Sequence, residues 1–291
     1  MRWSDFSKLI KLRLTFLVVF SASISFLIGS MANTRTGGVI DWKNWGILIA
    51  GGFLVTAAAN CFNEIIEKDY DRLMRRTMDR PIPAGRMTTG QALVLGLFMG
   101  IFGTYLLGSL NLATGLLSVF SILLYAFAYT PMKRKSPIAV FVGAIPGALP
   151  PLIGYVAGHG TIDSIALILF GIQFVWQFPH FWAIAWVLDD DYKLAGFRLL
   201  PSGKRDLTSA VITFAVTMIL IPVSLLPTIY GYGGYYVGGV SFICSLLFLY
   251  LATKLLRTLE IKAAKQLMYG SFIYLPVVQL MFLFDFVGKV K

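Results

Sequence analysis

Charge is what this chain has least of: Asp, Glu, Lys and Arg together make up 13% of its 291 residues, against 57% hydrophobic residues. Soluble domains carry about a quarter charged residues, so water is excluded as the main solvent. No hydrophilic stretch is long enough for a separate soluble domain, so we expect one membrane-embedded domain over residues 1–291. The long apolar runs lack the period-2 alternation of a barrel strand. Windows such as 14–28 and 211–227 hold no charge at all. These approach the length of a bilayer-spanning helix, which satisfies its own backbone hydrogen bonds in hydrocarbon. The expected fold is all-α and polytopic.

Cysteine is also scarce. Cys61 and Cys244 are far apart and lie in apolar sequence, which excludes a disulfide framework or thiolate metal site and leaves two inert buried thiols. No small-residue cleavage site closes the first apolar run, so it is read as a retained helix. The segment before it lacks the Arg- and Ser-rich length of a mitochondrial presequence, which makes a bacterial plasma membrane the simpler address.

The net charge of +11 raises the question of nucleic acid. Nine apolar segments are centred near residues 23, 54, 99, 121, 147, 175, 218, 245 and 277. With a cytoplasmic N-terminus, 21 of the 25 Lys and Arg residues fall on the inside, and only Arg35, Lys43, Lys289 and Lys291 fall outside. This is the positive-inside rule at every turn of the chain, with the C-terminus outside. The basicity is topology, and no nucleic-acid partner is expected.

The acids are as unevenly placed. Of 14 Asp and Glu, four fall in residues 64–71 and three in 189–191, both where an apolar segment reaches the cytoplasmic interface. Ionisable groups at membrane depth are costly and mark function. In a helix, Asn63, Glu67 and Asp71 stand at i, i+4 and i+8 on one face. Such a ladder of oxygens suits Mg²⁺, which is usually held by one or two carboxylates together with substrate phosphate. Glu64 and Asp69 fall off this face and are expected to be structural. Arg72, Arg75, Arg76, Arg80 and Arg86 follow; they serve first as orientation signals and offer forked donors for phosphate oxygens.

A second cluster runs from Trp176 and Gln177 through Pro179 and His180 to Asp189, Asp190, Asp191 and Tyr192. Pro179 is placed to kink its helix and free a carbonyl. His180 is read equally well as a satisfied core histidine or as a group acting on an acceptor, by haem-iron contact or proton transfer. Three consecutive aspartates cannot share a direction, so one or two are expected to face the ladder and complete a second metal position. His159 reads as a surface residue beside an outside turn. The basic Lys133, Arg134 and Lys135 are an orientation signal first and a phosphate contact second. The Gly and Pro series over residues 143–154 suits close helix packing and a helix opened where it lines a cavity.

Together these stretches resemble the UbiA superfamily of intramembrane prenyltransferases, over most of the chain. Asn63, Glu67 and Asp71 match the motif Asn-xxx-Asp/Glu-xxx-Asp. Met74-xx-Thr77-xx-Arg80-Pro81-xx-Ala84-Gly85-Arg86 is similar to its continuation. Trp176-Gln177-x-Pro179-His180 and Asp191-Tyr192-xx-Ala195-Gly196 resemble the haem-modifying branch rather than the quinone branch. The family's Lys-Pro-Arg appears as Lys11-Leu12-Arg13, and its second motif, Asp-xxx-Asp, is absent at that spacing in residues 189–191.

The resemblance implies nine helices around a central cavity open to the cytoplasmic leaflet, with farnesyl diphosphate and haem B as substrates. It implies Mg²⁺ on Asn63, Glu67 and Asp71 with Asp190 or Asp191, and diphosphate on Arg72, Arg76, Arg80, Lys133 and Arg134. Trp176, Gln177 and Tyr192 would line the haem and prenyl cavity, with His180 and Asp191 among the reacting groups. The product would pass to a haem A synthase or a terminal-oxidase assembly factor. The alternatives are transfer to an aromatic quinone precursor and a transporter or haem carrier. Mg²⁺-dependent release of diphosphate separates a prenyltransferase from the transporter or carrier, and the identity of the prenylated acceptor separates the two branches.

Overall fold

The protein is described by a computed structural model over residues 2–33 and 37–286. Arg35, Lys289 and Lys291, three of the four basic residues assigned to the outside, lie outside the described residues. In chain order, a short α1 (Trp3–Leu9) precedes α2 (Leu12–Ala32), α3 (Trp42–Asp71), α4 (Thr89–Leu110), α5 (Leu112–Met132) and α6 (Ala139–His159). Then follow α7 (Ser164–Val187), a short α8 (Asp189–Leu194), α9 (Leu207–Ile229), α10 (Tyr235–Thr258) and α11 (Ile261–Phe284). Among the described residues nine helices are long and apolar enough to cross a membrane, and all nine expected segment centres fall within them.

Local sequence sets several of the boundaries. Asp41, Asn111, Asp163 and Asp206 accept backbone N–H groups at the starts of α3, α5, α7 and α9. Thr88 and Gln91 form a capping box at the start of α4, each device satisfying donors a helix start leaves open. The proline-rich stretch behaves differently from expectation. Neither α6, with Pro146, Pro150 and Pro151, nor α7, with Pro179, is interrupted. The irregularity appears instead in α5, as a π-helical turn over Leu124–Tyr129, a form frequent at functional sites.

Pro151 has no N–H to give the carbonyl four residues earlier. The Gly147 oxygen finds its donor across the helix interface, in Gln173 Nε2 at 2.7 Å.

The prolines and glycines of α6 also bring it against α2. A Cβ at Gly154 would overlap the Ala22 carbonyl oxygen, and one at Gly158 the Phe26 carbonyl oxygen. Backbone cannot yield as a side chain tip does, so Gly154→Ala is expected to destabilise the protein by about 1–3 kcal/mol. Thermal unfolding of the detergent-purified variant checks this, and an unchanged midpoint would mean that α2 and α6 do not approach there.

Two hydrophobic clusters form the interior. One is built mainly from α2 to α6 with the outer end of α7, the other from the rest of α7 with α9, α10 and α11. A cavity lined from both runs between them. Its wall includes Val55, Ala59, Asn60, Tyr125, Tyr129, Gly147, Trp176, Gln177 and His180.

Candidate active site

At 30 residues α3 is the longest described helix, about 45 Å at a rise of about 1.5 Å per residue. A hydrocarbon core is about 30 Å thick, so the last ten or so residues of α3 emerge from it. Asn63, Glu67 and Asp71 therefore stand at the interface, on one face as their spacing requires, and all three are buried within the protein.

Each rung meets a cation from a different part of the chain. Asn63 Oδ1 accepts from Lys11 Nζ at 2.6 Å, while its amide donates to Thr130 Oγ1 at 3.1 Å. Glu67 pairs with Lys133 Nζ at 2.8 Å. Asp71 Oδ2 accepts from Arg80 at 2.6 Å, and its Oδ1 is buried without a hydrogen-bond partner.

Lys11 reaches its place through a strained corner. Its backbone is left-handed, with φ 48°, a conformation that costs a non-glycine residue about 1–3 kcal/mol and is held only where the surroundings over-determine it. Here Asn60 donates from α3 to the Ile10 carbonyl at 3.1 Å and Thr15 closes on the same oxygen at 2.7 Å. Burial, then Arg80 and Lys133 nearby, pulls the Lys11 ammonium well below its usual pKa, in keeping with an amide rather than a carboxylate as its partner. For Lys133 burial acts in the same direction, but Glu67 beside it, together with Tyr125 and Tyr192, outweighs burial and holds the ammonium above its usual value. Lys133 also lies 4.7 Å from the Tyr129 ring centroid, a further cation–π contact.

The remaining predicted residues divide. Arg76 lies 5.6 Å over the Tyr192 ring and has no acidic partner among the described residues, so its charge is available at the rim. Arg134 is held on Tyr70, 4.2 Å over the ring and 2.6 Å from the hydroxyl. Arg72 turns away from the ladder, to the Pro83 carbonyl at 3.2 Å and Asp69 at 3.6 Å. Glu64 has Oε1 accepting the Ile82 amide at 3.1 Å, while its Oε2 is buried without a hydrogen-bond partner.

The three aspartates expected to complete a second metal position do not gather at the ladder in this structure. Asp190 is exposed and faces Arg205 at 3.0 Å, and Asp189 pairs with Lys193 at 2.7 Å. Asp191 accepts the backbone amides of Arg75 and Arg76 at 2.9 and 3.4 Å, anchoring the loop that follows the ladder. Among the described residues no three carboxylate, imidazole or thiol groups gather closely enough for a metal. Successive helical residues point about 100° apart, which fans the three aspartates into three separate tasks. Tyr192 is likewise not on the cavity wall; it packs on Phe197 at 6.0 Å under Arg76.

Trp176, Gln177 and His180 do line the cavity. Trp176 stacks on His180 at 4.5 Å and donates to the Ser271 carbonyl at 3.1 Å. Gln177 donates to Ala144 at 3.1 Å, in room that Gly147 leaves by having no Cβ. Ser271 Oγ spends its proton on the Met268 carbonyl and so accepts from His180 Nδ1 at 2.7 Å. That assigns the proton to Nδ1 and leaves the Nε2 lone pair unused.

Sequence reasoning noted Lys11 without giving it a site role, and passed over Thr130 and the polar cluster of Ser21, Gln173 and Gln279, whose contacts are 2.8 to 3.0 Å. Gln173 carries one available signal, since it stands one turn before Gln177. For Thr130 there was none.

A model of the family described as UbiA prenyltransferase matches residues 22–276. The chain is similar to a protoheme IX farnesyltransferase of Cytophaga hutchinsonii, 43% identical over 98% of each chain. One of Christiangramia forsetii is 41% identical over 97% of this chain and 93% of the other. In fold it resembles a digeranylgeranylglyceryl phosphate synthase, with a TM-score of 0.80 at 22% identity over 97% of each chain. It also resembles a UbiA homologue from Archaeoglobus fulgidus solved with DMAPP and Mg²⁺, with a TM-score of 0.70 at 11% identity over 96% of this chain and 99% of that one. A family model that covers most of the chain, a shared helical fold and near full-length relatives lead to one conclusion: the chain belongs to the UbiA prenyltransferase family.

Proposed function

We propose that this protein transfers the farnesyl group of farnesyl diphosphate to a vinyl group of haem B, giving haem O and free diphosphate. The observation that carries the reading is a charged head site about one turn along α3 from the wall of an apolar chamber. The ladder meets three cations, and Asn60, three residues before its first rung, lines the cavity. Nearly full-length relatives named protoheme IX farnesyltransferase support haem as the acceptor.

The ladder fits Mg²⁺ by donor type, and the buried Asp71 Oδ1 is an acceptor in need of a partner. Asn63, Glu67 and Asp71 would hold the ion, which supplies positive charge against the departing diphosphate. Lys11, Lys133, Arg80 and Arg76 bind the diphosphate oxygens, the first three by turning from the rungs they occupy. The C1–O bond breaks with its electron pair leaving on diphosphate. The vinyl π electrons then form the new carbon–carbon bond, and water adds to the resulting cation with loss of a proton. Trp176 and the apolar walls orient the acceptor and keep water from the allylic cation. His180 offers its Nε2 lone pair to the haem iron or to the proton released.

We place residues 1–291 as one domain in a bacterial inner membrane, N-terminus and ladder cytoplasmic, with the haem product passed to a haem A synthase or oxidase assembly factor. Purified protein with farnesyl diphosphate, Mg²⁺ and either haem B or 4-hydroxybenzoate tests the reading by product mass. Hydroxyethylfarnesyl haem is expected. Prenylated benzoate would move the protein to the quinone branch, and no diphosphate release would make it a carrier.

A further inference from the structure

The α3 residues that line the cavity are Leu48, Gly52, Val55, Thr56, Ala59 and Asn60. Leu48, Gly52, Thr56 and Asn60 are four apart, and the same face continues one turn later into the ladder. One helix therefore carries a polar head site and an apolar groove end to end. Thr56 spends its hydroxyl on the Gly52 carbonyl at 2.8 Å, so it gives the groove only its methyl.

The groove has a measurable length and a floor. Asn60 to Leu48 is about 18 Å, a little over three helical turns. An extended isoprene unit advances slightly less than one such turn of about 5.4 Å, so three units fit. Leu48 and Leu107 are each 1% exposed and close the far end. Leu107 is closely packed. It lies on Gly51, where a Cβ would come within 2.8 Å of its Cγ, and α3 and α4 meet backbone to backbone at Gly103. Gly52, one turn before the floor, has open space instead: the nearest atom to the place a Cβ would take is Val19 Cγ2, at 3.8 Å.

We propose that this face of α3 is a ruler for the prenyl chain. Leu48 and Leu107 stop the chain at three isoprene units, and the missing side chain of Gly52 makes the space for the third. The inference rests on farnesyl diphosphate as the proposed substrate and adds which residues set that chain length. A fourth unit meets closely packed side chains, whereas a Cβ branch at Gly52 occupies the place of the third.

The test offers geranyl, farnesyl and geranylgeranyl diphosphate in competition, with haem B as acceptor and product mass as readout. The same three are compared as competitors of a fluorescent farnesyl diphosphate analogue, which needs no acceptor. Farnesyl is expected to lead in the wild type. Gly52→Leu should shift preference towards geranyl by about tenfold or more, and Leu48→Ala with Leu107→Ala towards geranylgeranyl by a similar factor. Gly52→Leu carries the test alone where the double variant does not fold.

Ratios within twofold of wild type in folded variants overturn the ruler. So does a length shift produced by Phe272→Ala, on the half-exposed side of the cavity, with none from the α3 variants. A wild type that selects farnesyl diphosphate in binding yet leaves haem unmodified overturns the acceptor assignment and leaves the ruler standing.

Discussion

Asp71→Asn is expected to lower farnesyl transfer by about 10²–10³-fold or more while the protein stays inserted and folded. The amide keeps an oxygen for Arg80, 2.6 Å away in the wild type, so the fold retains its contact. What is lost is charge at the buried Oδ1, the unpartnered acceptor that the proposed metal would use. Asp71→Ala is expected to abolish turnover outright, with a greater cost in stability because Arg80 then lies unpaired. Asp190→Asn is the matched control: its carboxylate is exposed on Arg205, and turnover within twofold of wild type is expected. Turnover, thermal midpoint and detergent elution measured together separate chemistry from folding. Near-normal activity in Asp71→Asn with loss in Asp190→Asn would move the metal site from α3 to α8.

Lys133→Met should have the largest effect on stability. Its ammonium and the Glu67 carboxylate are both largely buried, 2.8 Å apart. Removing one partner of a buried pair leaves an uncompensated charge and costs about 3–5 kcal/mol. Adding Glu67→Gln removes that charge, so the double variant is expected to recover most of the lost stability and none of the activity, since both the cation for diphosphate and a ladder carboxylate are gone. Unfolding and turnover of both variants check this. A Lys133→Met protein as stable as wild type would show that the pair is not buried as an ion pair.

Both predictions depend on contacts that no sequence pattern displays. Asn63, Glu67 and Asp71 were legible because their spacing is a property of a single helix, and because acids at an apolar helix end are rare enough to need a reason. Their partners were not. Lys11 lies 52 residues from Asn63 and Lys133 lies 66 from Glu67, and each also reads as an orientation signal, which any cytoplasmic lysine is. Asp189, Asp190 and Asp191 were visible as a cluster, but one step of about 100° in a helix decides whether an aspartate meets a metal, an amide or Arg205. The same rotation takes Tyr192 off the cavity wall and onto Phe197.

Sequence by itself determined the solvent, the nine spans found among the described residues, the gathering of the charges at one end of those spans and the face of α3 that carries the ladder. Each follows from local rules: the length of a bilayer crossing, the charge bias of its loops and the roughly 3.6-residue period of a helix. Tertiary structure alone decided that three cations meet three rungs, that Gln173 answers the carbonyl freed by Pro151, and that Leu107 closes the groove beside Leu48. Those contacts depend on how far each helix is rotated and shifted against its neighbours. Close packing settles that rotation collectively, through glycines such as Gly154 and Gly51, and no single stretch of sequence contains it.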